Sequence, residues 1–407
     1  MLGDAGAVMA FASTANAGIT IPAGDWTVDL GGNVNAYYTR ATSDKTINGV
    51  KTSAADQNTI GTGLLPAAMG IGAKTRQNDL DIAVQFSFFT GTSSGNAAAA
   101  GNNSLNIRQA FLTFGDASWG TIKAGRDLGI FGSDAILSDM TLLGVGVGAP
   151  AGGSSTLGRI GSGYIYADWK GQISYASPNW NGFSFAGGVM EGFNNGRDNM
   201  GFEGKAAYDF AANDVTGRVW VSGLTQKTEV AAVAYAGPVA AVAGVSAATN
   251  GTSAVAAKNY TSKGFDIGAK VAYQGAGLVG YFYSGDGLDS QTPSTTGPAT
   301  ITTSGLFNAA GQKTKDSGGY VQATFVVPGI GTKLGASWGV SNSKAANGTD
   351  FDLENESWIV GAYHPLTKSL NLVAEYTNQE IKNSRASTTQ ASKLENDTVS
   401  LGAILFF

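Results

Sequence analysis

The feature that most constrains this chain is an alternation of period two that recurs from end to end. Leu80, Ile82, Val84, Phe86 and Phe88 share one face of an extended segment, while Asp79, Asp81, Gln85 and Ser87 share the other. Phe265, Ile267, Ala269, Val271 and Tyr273 oppose Asp266 and Lys270 in the same way, and Leu370, Leu372, Ala374 and Tyr376 oppose Asn371, Glu375 and Thr377. Successive side chains of a strand point to opposite faces, so each such segment separates two different media. Charged residues make up only 14% of the 407, where a soluble domain carries about 25%. Charge this sparse does not cover a water-facing surface of that size, so the second medium is not water.

Sixteen such strands can be read, from residues 25–38 to residues 396–407. Tight turns rich in Gly, Asn, Asp and Pro alternate strictly with longer Ser/Thr/Gly/Asn/Ala-rich connections. That rhythm puts every short turn at one end of the sheet and every long loop at the other. An even strand count with this asymmetry predicts an all-β transmembrane antiparallel β-barrel, with short periplasmic turns and long outer loops. Closing the sheet satisfies all backbone polar groups without water, as lipid demands. One stretch leaves the count open. Val230 to Ala248 is free of charge over nineteen residues and is interrupted by Pro238. It is either outer loop or an extra hairpin turning at Gly237-Pro238, which would make eighteen strands.

Several function classes fall away at this stage. The chain has no cysteine and a single histidine, His364, which excludes disulfides and thiolate sites and leaves little for a zinc centre. A formal net charge of −5 without a basic run argues against nucleic acid. His364 precedes Pro365 at a turn, a conformational position, so an enzyme is not expected. No cofactor is expected either, although Asp286, Asp289, Asp350 and Glu354 in the outer loops offer oxygen ligands for calcium. Residues 1–17 read as a signal-peptide remnant or a disordered leader, with Ala15-Asn16-Ala17 fitting a small-x-small cleavage site. Residues 18–407 then form one barrel domain.

The inward alternation names the lumen wall. Arg108, Lys123, Lys170, Lys205, Arg218 and Lys270 face Asp29, Asp79, Asp81, Asp168, Glu203, Asp209, Asp266 and Glu375, a balance that leans faintly towards cations. Trp119, Trp180, Tyr281, Tyr283, Trp358 and Tyr376 are expected in aromatic girdles at the lipid interfaces.

Several segments, taken in order, resemble the general diffusion porins of Gram-negative outer membranes. Arg108-Gln109-Ala110-Phe111-Leu112 is similar to that family's fourth strand, and Gly120-Thr121-Ile122-Lys123-Ala124-Gly125-Arg126-Asp127 to its fifth. Ser138-Asp139-Met140 resembles the acidic tip of the constriction loop, and Gly158-Arg159-Ile160-Gly161 the return from it. Tyr175 to Phe183 resembles the turn that follows, and the terminal Ser400 to Phe407, with Gly402, Leu405 and Phe407, resembles the family's insertion signal. The resemblance implies a sixteen-stranded homotrimer in the bacterial outer membrane, in contact with lipid and lipopolysaccharide. It implies a third loop, residues 127–161, folded into the lumen, and an eyelet of Arg108, Arg126 and Arg159 facing Asp134 and Asp139. The implied function is passive diffusion of ions and small hydrophilic solutes. A substrate-selective channel and a structural or adhesive barrel acting through its loops are the alternatives. Asn33 stands where many porins carry a lysine, and Ala68 or Met69 where they carry an arginine, which weakens a basic eyelet. Gly144-Val145-Gly146-Val147-Gly148 is not a phosphate cradle, because no strand leads into it and no helix follows.

Overall fold

The structure, a computed structural model, describes residues 18–91, 105–148, 155–192, 200–230, 258–288, 313–344, 352–385 and 391–407. Residues 1–17 and nearly all of 230–248 lie outside them.

Sixteen strands form a closed antiparallel ring: β2 (Trp26–Ile47), β5 (Ala67–Gln77), β6 (Leu80–Thr90), β7 (Asn106–Asp116), β8 (Gly120–Leu128), β9 (Trp169–Ala176), β10 (Phe183–Glu191), β11 (Met200–Ala212), β12 (Val215–Val230), β13 (Lys258–Tyr273), β14 (Ala276–Asp286), β15 (Lys315–Val326), β16 (Lys333–Lys344), β17 (Asp352–Pro365), β18 (Leu370–Asn383) and β19 (Ala391–Phe406). Each pairs with the next, and β19 returns to β2 through Ala391↔Ile47 to Phe406↔Asn33. Three short strands lie outside the ring: β1 (Ile19–Ala23) pairs with the start of β2, and β3 (Val50–Ser53) and β4 (Gln57–Gly61) pair with its far half. The eighteen-strand alternative is excluded from the ring, because β12 and β13 pair without interruption from Val215↔Tyr273 to Val230↔Lys258.

The turns follow from their residues. Asn78 and Asp79 both adopt positive φ (47° and 64°), as the two-residue hairpin between β5 and β6 requires. This corrects the placement of Asp79, which is an exposed turn residue and not part of the lumen wall.

The outward face is apolar around the whole circumference. Phe86, Phe202, Phe265, Ile267, Val321 and Leu401 are each between 48 and 57% exposed. In a water-soluble protein a continuous belt of this kind would drive association; against hydrocarbon it is the stable arrangement. Leu405 belongs to it, at 40% exposed, while Ile404 and Phe406 point inward and are buried. Gly402 fits because a Cβ there would stand 2.2 Å from the Ala36 carbonyl oxygen. Phe407 closes the ring by exchanging backbone hydrogen bonds with Gly32, at 2.9 and 3.1 Å.

Candidate pore constriction

The connection between β8 and β9 lies inside the ring. It is longer than the sequence suggests: β8 ends at Leu128 and β9 begins at Trp169, so residues 129–168 form the loop and Tyr164, Ile165 and Ala167 are buried within it. Its described residues include a short helix, Ser133–Ser138, and a 3-10 turn, Met140–Leu143.

Two forces hold the loop against the wall. The first is apolar. Phe131, Ala135, Ile136, Ile160, Tyr164 and Ile165 pack on Trp220, Tyr281, Tyr283 and Tyr320, which face inward from β12, β14 and β15. Burying a large apolar side chain stabilises by about 1.5–3 kcal/mol, so this patch alone favours an inward loop. It also corrects the girdle assignment of Tyr281 and Tyr283. Asp266 pairs directly with Tyr283 across β13 and β14, so an inward Asp266 carries an inward Tyr283 with it. Trp119, Trp180 and Trp358 are exposed.

The second force is a set of wall carboxylates that accept hydrogen bonds from the loop backbone. Glu203 of β11 accepts from the N–H groups of Ile130 (2.7 Å) and Phe131 (2.8 Å). Asp266 of β13 accepts from Gly132 at 3.0 Å. Glu375 of β18 accepts from Val145 (2.8 Å) and Gly146 (2.7 Å), and its other oxygen accepts from the Tyr363 hydroxyl at 2.6 Å. All three carboxylates are buried. Gly144 makes the Glu375 contact achievable, since a Cβ there would lie 2.0 Å from the Glu375 carboxylate. The Gly-x-Gly-x-Gly run is therefore an anion nest after all, but its anion is a side chain of the barrel itself. Sequence reasoning counted Glu203, Asp266 and Glu375 as wall charges and missed this docking role. The one signal available was the match between isolated inward acids and glycine-rich loop backbone.

The expected eyelet residues separate into different places. Arg159 is fully buried, and corrects its eyelet assignment: Nε donates to Ser337 Oγ at 2.6 Å and Nη1 to Ser357 Oγ at 3.1 Å, so it ties the loop to β16 and β17. Asp139 is also buried. It caps the 3-10 turn by accepting from the Thr141 N–H at 2.9 Å and accepts from the Tyr164 hydroxyl at 2.7 Å. Burial, reinforced by the Asp139 charge, raises the Tyr164 phenol well above its usual range, so it stays a donor. Asp134 lies on the short helix between Lys205 Nζ (2.8 Å) and Arg218 Nε (3.0 Å). Arg126 is exposed and sits opposite Ala110 and Gly171, on the outward alternation, so it leaves the eyelet too. Arg108 occupies a bulge between the Ser87↔Gln109 and Phe88↔Ile107 pairs, and its guanidinium carbon lies 4.7 Å from the centre of the inward Phe89 ring.

On the wall, Lys123 pairs with Asp127 at 2.5 Å, and Asp127 also accepts from Gln109 at 2.7 Å. Lys170 pairs with Glu203, both nearly fully buried. Asp81 pairs with Arg76 at the short-turn rim. Lys270 is exposed on the inward alternation of β13, opposite Arg218. A 70 Å³ cavity, large enough for water, separates the loop from the wall beside Lys123 and Lys205. Asp286 and Glu354, expected as calcium ligands, are paired with Lys315 and Lys382; Asp289 and Asp350 lie outside the described residues. His364 contacts Thr332 Oγ1 at 2.9 Å through Nδ1.

A closed sixteen-stranded barrel, apolar outside and narrowed from within by its own loop, defines a channel-forming membrane protein. The sequence model of the Gram-negative porin family matches residues 5–384, and the chain belongs to that family. Its location is therefore the bacterial outer membrane. Among solved structures, the outer-membrane channel DcaP of Acinetobacter baumannii superposes with a TM-score of 0.62 at 13% identity, covering 96% of this chain and 100% of that one. OmpT of Vibrio cholerae gives 0.58 at 16% identity, covering 96% and 100%; a trimer form of that protein gives 0.53 at 14%, covering 94% and 99%. An anion-selective porin of Comamonas acidovorans gives 0.56 at 16%, covering 94% and 100%. A search of curated protein sequences finds no significant match. Family and fold point to a channel rather than an enzyme.

Proposed function

We propose that the protein is a passive diffusion pore for ions and small hydrophilic solutes. The observation that carries this reading is the position of the loop: it is strapped to the wall from β11 round to β18 by buried carboxylates, which narrows the ring. Lumen-facing Lys270 stays exposed on the inner face of β13. An unpaired lysine is stable where it meets water, because burying it without a partner costs several kcal/mol.

Correctly folded protein in a planar bilayer is expected to show stepwise conductance, and liposomes carrying it to swell in sugars up to a size limit. Folded protein that gives neither result defeats the reading. Saturating block by one sugar or organic acid would mark a substrate-selective channel instead. The reading includes no catalytic activity: His364, the one histidine of the chain, is engaged with Thr332 near the end of β17. Assembly as a homotrimer in contact with lipid and lipopolysaccharide rests on the family and on the trimer form of the Vibrio cholerae protein. Its test is the mass of the particle in native detergent extracts.

A further inference from the structure

The loop changes the electrostatics of the lumen by taking up its acids. Glu203, Asp266 and Glu375 are buried and bonded to loop N–H groups, and Asp139 is buried against Tyr164 and Thr141. Asp127 and Asp134 have side chains only 5 and 9% exposed, each held by basic partners. Of the inward acids, Asp209 and Asp81 retain substantial exposure, with side chains 43 and 47% exposed, and each is paired with an arginine.

The cations are disposed differently. Lys270 is exposed and has no ion-pair partner among the described residues. It faces Arg218 across β12 and β13, and Arg218 faces Asp209 across β11 and β12. Lys205, Arg218 and Lys270 thus share one stretch of wall with Asp209 and face Asp134 on the loop helix. Lys333, inward on β16, lies 5.0 Å from the centre of the Tyr363 ring and likewise has no described ion-pair partner. An ion pair held at 2.5–3.1 Å acts on a passing ion as a dipole, whereas an unpaired lysine acts as a full charge. Screening extends over about 10 Å at 0.1 M salt, so unpaired charges close to the water path dominate what a permeating ion meets.

We propose that this pore passes small anions, such as chloride and simple carboxylates, in preference to cations, with Lys270 and Lys333 as the selectivity-determining residues. The proposal rests on the diffusion reading and reverses the faint cation bias of the bare residue count. The test is the reversal potential of the full-length folded protein in a planar bilayer under a potassium chloride gradient of about tenfold. The expected sign is that of chloride preference. In the double variant Lys270→Glu/Lys333→Glu the chloride-to-potassium permeability ratio is expected to fall by roughly severalfold, and in Lys270→Gln/Lys333→Gln by a smaller factor of about two. The neutral pair carries the test where the reversed charges do not insert. Potassium preference in the wild type, or an unchanged ratio in conducting variants, overturns the proposal while leaving the diffusion pore standing. Folded wild type that gives no conductance steps overturns both.

Discussion

The acids under the loop and Asp81 at the short-turn rim are the same residue types on the same inward alternation, yet they do different work. Glu203, Asp266 and Glu375 are buried, and each accepts backbone N–H groups from a segment far away in sequence. At the rim, Arg76 bridges Asp81 and Asp116 at 2.8 and 2.9 Å with its side chain 49% exposed. Exposed pairs contribute little because water and salt screen them. A buried carboxylate with several donors is costly to disturb, because its removal leaves those donors unsatisfied. Position relative to one loop therefore decides whether an inward acid organises the pore or merely decorates it.

The sharpest break of this contrast is Glu375→Ala. Removing an acceptor for two backbone N–H groups and one hydroxyl is expected to weaken loop attachment by about 3 kcal/mol or more. The expected readouts are a larger single-channel conductance and protease cleavage near Gly144 to Gly148. Unaltered conductance with a resistant loop would remove Glu375 from the strap.

A second change probes the opposite face of the same wall. Ile267→Arg puts a charge on the lipid side next to the inward Asp266, at an expected cost of about 2–4 kcal/mol near the bilayer midplane. Urea titration of protein refolded in lipid vesicles measures it. A neutral result would mean that this face does not meet hydrocarbon.

Asp139→Asn is expected to move the reversal potential little, because the carboxylate is buried behind Tyr164. A large shift would restore Asp139 to the water path.

The smallest effect belongs to the rim. The Asp116 carboxyl is held below its usual range by the Ser118 hydroxyl first and by Arg76 second. Its folded-state pKa is thus lower than its unfolded value, so its contribution is present above about pH 4 and is lost as pH falls through the folded value. Wild type and Arg76→Ala are expected to share one unfolding midpoint from about pH 7 to pH 5, by tryptophan fluorescence. A midpoint that drops in the variant would show the rim to be structural.

Much of the fold was legible in the residues. The strands near Leu80, Phe265 and Leu370 alternate cleanly because their two faces meet hydrocarbon and water, and the Asn78-Asp79 turn announces its own geometry. The site was legible only in part. Asp134 and Asp139 were located as loop acids, but their burial was not. Tyr281 and Tyr283 read as interface aromatics because composition does not reveal that part of the inner wall is apolar. Arg108 escaped strict alternation through a bulge, which shows only in the register of β6 and β7.

By itself, the sequence determined the barrel: side-chain period and turn chemistry are local properties, and each strand carries its own instruction about which face meets lipid. Only the tertiary structure decided which inward charges reach the water. That outcome depends on residues far apart in the chain, such as Gly146 and Glu375, coming within hydrogen-bond distance, and on the dielectric their contact creates. Burial turns an acid into a clamp and leaves an unpaired lysine to set the field.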